Sequence, residues 1–288
     1  MSLSQPIGAR VPEAFETIQS SGRPRGRRRV GSVWAWVIFL LGAIYFLVPL
    51  VATFEFSMRA QPAFAAYTKS FGDPGFLESL GYSFVIAILT IVVSLALIIP
   101  TAYWVRLRLP RLRPVVEFIT LVPFVIPPII LVFGLLQVYK NQPVQLVATD
   151  MGSNVVLVGA YVILSFPYMY RAVDTGLAAI DVRSLTEAAQ SLGAGWARIV
   201  VRIILPGLRT ALLSGAFLTL AIVIGEFTIA QFLARETFGP YLSLIGRNKA
   251  YEPAAVSLVT FALTWLAMGM IAIVGRSNRG RPPASGGR

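Results

Sequence analysis

The chain has 288 residues, 56% of them hydrophobic and only 13% charged, with a mean hydropathy of +0.72 and a formal charge of +12. Soluble domains carry about 25% charged residues, so this balance excludes an ordinary water-soluble domain and indicates a membrane protein. The absence of Cys and His removes disulfides, thiolate metal sites, a cysteine nucleophile and the commonest general base, and with them most enzyme readings.

Residues 1–30 are polar, rich in Gly, Pro and Ser, and close on Arg23, Arg25, Arg27, Arg28 and Arg29. They are expected to form a disordered basic cytoplasmic tail. The apolar run Val33 to Phe54 is long enough to cross a hydrocarbon core of about 30 Å and too long for a signal peptide, so it reads as an uncleaved first span. Trp34 and Trp36 at its start suit either the headgroup layer or plain helix packing. Glu55 to Ser79 is mixed and turn-rich. Leu80 to Val105 is the second span, with Pro100 expected to kink it. Four arginines (106, 108, 111 and 113) crowd the link to a third span, Val115 to Tyr139, and Glu117 beside them is expected to form a surface ion pair. The third span holds Pro123, Pro127 and Pro128. Prolines there free backbone carbonyls, which is tolerable only where protein or a water-filled cavity receives them, so this segment is expected to line a pathway or a subunit interface.

Lys140 to Asn154 is a short polar connection before a fourth span, Val155 to Tyr170, which is short for a crossing and carries Pro167. A polar, Arg-bearing interruption follows from Glu187 to Pro206. The fifth span runs from Thr210 to Gly225 and is expected to continue past Glu226 toward Ala234. Gly239-Pro240 reads as a turn, Tyr241 to Lys249 as a helix across the outer mouth, and Ala254 to Val274 as the sixth span. Residues 276–288 make a second basic tail. With the N-terminus inside, all but six of the 25 basic residues fall on the inner side, the exceptions being Arg59, Lys69, Lys140, Arg235, Arg247 and Lys249. The positive-inside rule then places both termini and the stretch around Glu187 in the cytoplasm. Nucleic-acid binding is a poor fit, because the arginines alternate with spans instead of forming one basic domain.

Within the interruption, Ser184-Leu185-Thr186-Glu187 has the spacing of a capping box and predicts a helix start. Leu185, Ala188, Ala189 and Leu192 are expected on one face, with Thr186, Gln190 and Ser191 on the other. Gly193 and Gly195 end that helix. Trp196, Ile199, Val200 and Ile203 form a second helical stripe, and Pro206 breaks the chain before the next span. The arrangement resembles the EAA loop of binding-protein-dependent ABC importer permeases, with Glu187, Ala188, Ala189, Gly193, Ile203, Leu205 and Pro206 in register with that pattern. The resemblance covers about residues 76–274. It implies an all-α membrane protein with six transmembrane helices over 31–275 and a cytoplasmic EAA loop that docks into a groove of a separate ATPase. It further implies two ATPase subunits, a second permease subunit, an extracytoplasmic solute-binding protein and the lipid of a cell inner membrane as partners. Among subclasses, GEFTIAQFLA and YEPAAVSLVTF look most like spermidine/putrescine permeases.

No glycine-rich GK[ST] loop is present, so ATP hydrolysis is expected in partners, with no cofactor or metal in this chain. Gly193 is the strongest functional candidate in the loop, because a tight bend requires a residue without Cβ. Glu187 has both a capping reading and a coupling one, and Trp196 and Arg198 suit a partner contact, a solvated face or a headgroup anchor. Glu226 is the acidic residue embedded in the fifth apolar run, where an ionised group costs about 2.5 to 3.5 kcal/mol and so needs a partner or a purpose. Together with Thr228 and Gln231 it either lines a cationic-substrate pathway or is a helix-end carboxylate paired with Arg235 or Lys249. The competing class is a secondary transporter or channel subunit that needs no ATPase; coupling ions would require buried carboxylates, and the spans offer little besides Glu226.

Overall fold

The computed structural model describes residues 29–141, 143 and 145–276. The expected tails, 1–30 and 276–288, lie outside the described residues except at 29–30 and 276, which are helical. Two units divide at residue 51. The described part of the first, residues 29–51, is the leading stretch of helix α1 (Arg29–Met58), which passes through Pro49 without a break. It begins two residues inside the expected tail, and Trp36 meets Phe39 edge to face on it, 5.8 Å between centroids.

Among its described residues, the regular structure of the second unit is all helix. A short helix α2 (Ala65–Phe71) lies in the stretch expected to be mixed. Helix α3 (Pro74–Leu107) is longer than the expected second span and runs through Pro100. Asp73 caps it by accepting from Gly75 N at 3.0 Å, while Tyr241 and Lys249 donate to the same carboxylate at 3.2 and 3.1 Å. These donors hold Asp73 below its ordinary pKa.

The third span is not one helix. Helices α4 (Arg113–Val125) and α5 (Pro128–Tyr139) meet at 99°. Pro127 and Pro128 have no N–H to give the carbonyls of Pro123 and Phe124, so the ladder cannot continue and Ile126 goes extended. The fourth span is corrected in the other direction. Helix α6 (Asp150–Ala178) has 29 residues, is capped by Thr149 through Gly152 N at 3.1 Å, and runs through Pro167. Its added turns carry buried Gly152, Ser153, Val173 and Leu177, so tertiary packing sustains the helix beyond the apolar run.

Beyond α6, α7 (Val182–Ser191), α8 (Trp196–Ile199), a π turn (Val200–Ile204) and α9 (Leu205–Gly207) lead through an 81° bend into α10 (Arg209–Gly225). The fifth span stops at Glu226, which is extended, and resumes only as the short α11 (Thr228–Phe232). Gly239-Pro240 is not a turn: it lies in the first turn of α12 (Phe238–Asn248), where a Cβ on Gly239 would come within 2.5 Å of the Glu226 carbonyl oxygen. Helix α13 (Glu252–Arg276) closes the described chain. Among the described residues, four helices are long and apolar enough to cross a membrane singly, and the count is up to six if each bent pair is one span.

Helices α3, α6 and α10 pack on one another and carry two cores, one shared with α5, α11 and α12 and one reaching α7 and the π turn. Lipid tails are as apolar as leucine, so close van der Waals packing holds such helices together, and small residues permit it. At Gly176 an added Cβ would stand 2.6 Å from Ala211 Cβ, and at Gly215 it would stand 2.7 Å from Met169 Sδ. Ala211 belongs to a helix and cannot retreat. Gly176→Val is therefore expected to part α6 from α10 and to cost about 1 to 3 kcal/mol. The check is the thermal unfolding of detergent-purified protein, which Gly81→Val, at a position with open space, should disturb much less.

Candidate coupling loop and membrane site

Helix α7 starts two residues before the expected capping box. Its cap is Asp181, whose Oδ1 accepts from Ser184 N at 3.1 Å and whose Oδ2 accepts from Ser184 Oγ at 2.6 Å. Those two hydrogen bonds hold the Asp181 carboxyl below its usual range. Glu187 does not cap. It accepts from Arg183 Nε at 3.0 Å, one helical turn away, in a solvent-exposed pair of the kind that contributes little.

The buried face of α7 is also displaced from the expected one. Val182, Thr186 and Ala189 are buried, whereas Leu185, Ala188 and Leu192 are exposed, Leu192 by 88%. At 100° per residue the two faces are about a quarter turn apart. The reason lies in Thr186, whose hydroxyl donates to Val182 O at 2.6 Å and pairs with Tyr103 Oη of α3 at 3.0 Å. A satisfied hydroxyl can be buried, and the leucines are left outside.

Gly193 ends the helix as expected. Its φ is +77°, its N–H donates to Gln190 O at 2.9 Å, and Ala194 N donates to Ala189 O at 3.0 Å. These two bonds form a Schellman motif with glycine in the left-handed position. Gly195 instead precedes α8 with φ −73° and ψ 161°, which any residue adopts. The second stripe is buried at Ile199, Val200 and Ile204. Ile203 is half-buried, because the π turn inserts a residue and moves the seam on by one. Leu205 and Pro206 are half-buried within α9. The chain bends at Leu208, two residues past Pro206. Trp196 is 44% exposed, with its ring 6.3 Å from Trp104.

Above the loop, Asp174 of α6 accepts from Arg106 at 3.1 Å and from Arg113 at 2.8 Å, and Arg113 also donates to Glu117 at 2.9 Å. The Glu117 ion pair is as expected. Nothing in the sequence marks Asp174 beyond its being an acidic residue downstream of the arginine link.

Glu226 is 9% exposed and faces neither Arg235 nor Lys249. Its carboxylate accepts from Tyr161 Oη at 3.0 Å, Ile229 N at 3.0 Å and Ala230 N at 3.3 Å, so it satisfies the first free amides of α11 and ties them to α6. Arg235 donates to Asp150 and to Asn154 Oδ1, which also accepts from Tyr82 Oη at 2.6 Å; Lys249 is on Asp73. The structure does not join Thr228 or Gln231 to Glu226 by a hydrogen bond. Thr228 is half-buried and Gln231 exposed.

A family model described as "Binding-protein-dependent transport system inner membrane component" matches residues 96–280. A probable molybdenum ABC transporter permease of Haloferax volcanii is 29% identical over 257 residues, covering 85% of this chain and 93% of that protein. The spermidine/putrescine permease PotB of Escherichia coli is 27% identical over 177 residues, covering 56% of this chain and 62% of PotB. Among solved structures, a bacterial ABC transporter involved in alginate import shares the fold, with a TM-score of 0.60, 19% identity and coverage of 89% of this chain and 99% of that one. The matched region takes in α6 to α10 and the EAA pattern. The chain therefore belongs to the binding-protein-dependent transport system inner membrane components, the multi-pass permease subunits of ABC importers that serve with ATPase and solute-binding partners.

Proposed function

We propose that this chain pairs with a second permease subunit and two ATPase subunits, with both termini in the cytoplasm and the α7 to α9 segment seated in an ATPase groove. The observation that carries this reading is the displaced face of α7. Leu185, Ala188 and Leu192 stand exposed about a quarter turn from the packed face, flanking the EAA residues Glu187 to Ala189 and the bend at Gly193. Exposed apolar side chains grouped on one short helix are the signature of a protein contact. Leu192→Asp leaves the core untouched and is expected to weaken ATPase co-purification by an order of magnitude or more, with normal membrane insertion. Unchanged assembly would reject the docking. Orientation is read separately. The chain has no native cysteine, so Asp150→Cys should react with an impermeant thiol reagent on intact cells and Gln190→Cys should not, both positions being exposed.

The solute is small and arrives on a binding protein. The local resemblance favours a polyamine, but the carboxylate offered for an amine, Glu226, is occupied by three donors. We favour a small oxyanion, in line with relatives named for molybdenum and for molybdate/tungstate. On this reading Glu226, Thr228 and Gln231 belong to the wall of the pathway, with Glu226 holding that wall in place. Uptake of labelled molybdate and spermidine by cells carrying the complete transporter decides between the two.

A further inference from the structure

Where α3 ends and the coupling helix begins, Arg106, Leu107, Ile180, Asp181, Val182 and Arg183 line an open pocket of about 340 Å³. We propose that this pocket binds the phosphate headgroup of an anionic phospholipid, so that the root of the coupling helix is tied to the charge of the inner leaflet. The inference rests on the reading of this end as cytoplasmic.

Position is the first argument. At 1.5 Å per residue the 34-residue α3 is about 50 Å long, more than the roughly 40 to 45 Å of a bilayer with its headgroups, so its last turn lies at headgroup level. Trp104 and Trp196, each less than half exposed, lie alongside at the same end, as aromatic residues do at a membrane interface. Charge is the second. The arginines at 106, 108, 111 and 113 face only Asp174 and Glu117, and Arg108 and Arg111 have no carboxylate partner among the described residues, Arg108 lying over the Trp104 ring at 5.5 Å. The one carboxylate in the pocket wall, Asp181, has both oxygens engaged by Ser184. Arg106 spends one guanidinium nitrogen on Asp174, and Arg183 spends its Nε on Glu187, leaving further N–H donors on each. Chemistry is the third. A soluble anion has no use for Leu107, Ile180 and Val182, whereas a phospholipid brings both a phosphate for the arginines and a glycerol–acyl portion for the apolar wall.

The assay is native mass spectrometry of the full chain released from bilayers of phosphatidylglycerol mixed with phosphatidylcholine, scoring the bound lipid. Arg106→Gln/Arg183→Gln is expected to weaken phosphatidylglycerol retention roughly 30-fold, and Arg183→Gln alone roughly fivefold. The single variant protects the test, because its side chain is 82% exposed and does not hold the fold. Arg111→Gln/Arg209→Gln, which removes the same charge elsewhere at this end, should leave the most tightly held lipid in place. Equal loss in both double variants, equal retention of phosphatidylcholine, or displacement of the lipid by millimolar inorganic phosphate would overturn the proposal. So would lost ATPase co-purification with lipid retention unchanged, which would assign the pocket to the protein partner. Bound lipid is counted without transport or ATPase activity, so a failed orientation, seen by cysteine labelling, is distinguishable from a failed lipid site.

Discussion

Gly193→Val should insert into the membrane in normal amounts and lose transport by an order of magnitude or more. At φ +77° a β-branched residue is a genuine outlier, with a cost of roughly 1 to 3 kcal/mol. Open space surrounds the position, so no clash with the rest of the chain adds to that. The strain is relieved by unwinding the last turn of α7, which gives up the hydrogen bonds of Gly193 and Ala194 to Gln190 and Ala189 and moves Leu192 off its face. The spans share none of these bonds. Gly195→Ala, at an ordinary backbone angle and also in open space, should stay within about twofold of the wild type. Transport and ATP hydrolysis measured together on the purified complex give the answer. Intact coupling in Gly193→Val would remove the loop from the proposed mechanism.

Glu226→Gln should lower the unfolding temperature of the protein by several degrees without changing which solute is carried. The carboxylate is an acceptor surrounded by donors, namely one tyrosine hydroxyl and two backbone amides. An amide side chain keeps one oxygen for them but turns an NH2 toward another N–H, leaving a buried donor unpaired at a cost of about 1 to 3 kcal/mol. Glu226→Ala strands all three donors and should cost more. Neither change introduces or removes a partner of Arg235 or Lys249, which are held by Asp150 and Asp73. The informative comparison is unfolding temperature against uptake per folded complex. Normal stability with a selective loss of cation uptake would restore Glu226 as a substrate ligand and reject the holding role.

The class of the molecule was legible in the sequence because it depends on amounts and lengths. Apolar runs long enough to cross a bilayer, few charges and an arginine bias report the solvent of each segment, whatever the neighbours are. Gly193 was legible for a local reason too, since a helix that must stop within a residue or two needs the backbone angle that glycine takes cheaply. Span boundaries were less so: α6 outran its apolar stretch because packing against α3 and α10 buries its polar turns, and the third span broke where two adjacent prolines withdrew their N–H groups. The buried face of α7 was decided only by tertiary structure, through the hydrogen bond between Thr186 and Tyr103 on a helix distant in sequence. Glu226 is the same case. Its setting inside an apolar run showed that it needed partners, but which ones depended on the chain turning extended at that residue and on Tyr161 arriving from α6. A side chain's need for a partner is a property of its own chemistry, whereas the partner's identity is a property of how distant helices meet.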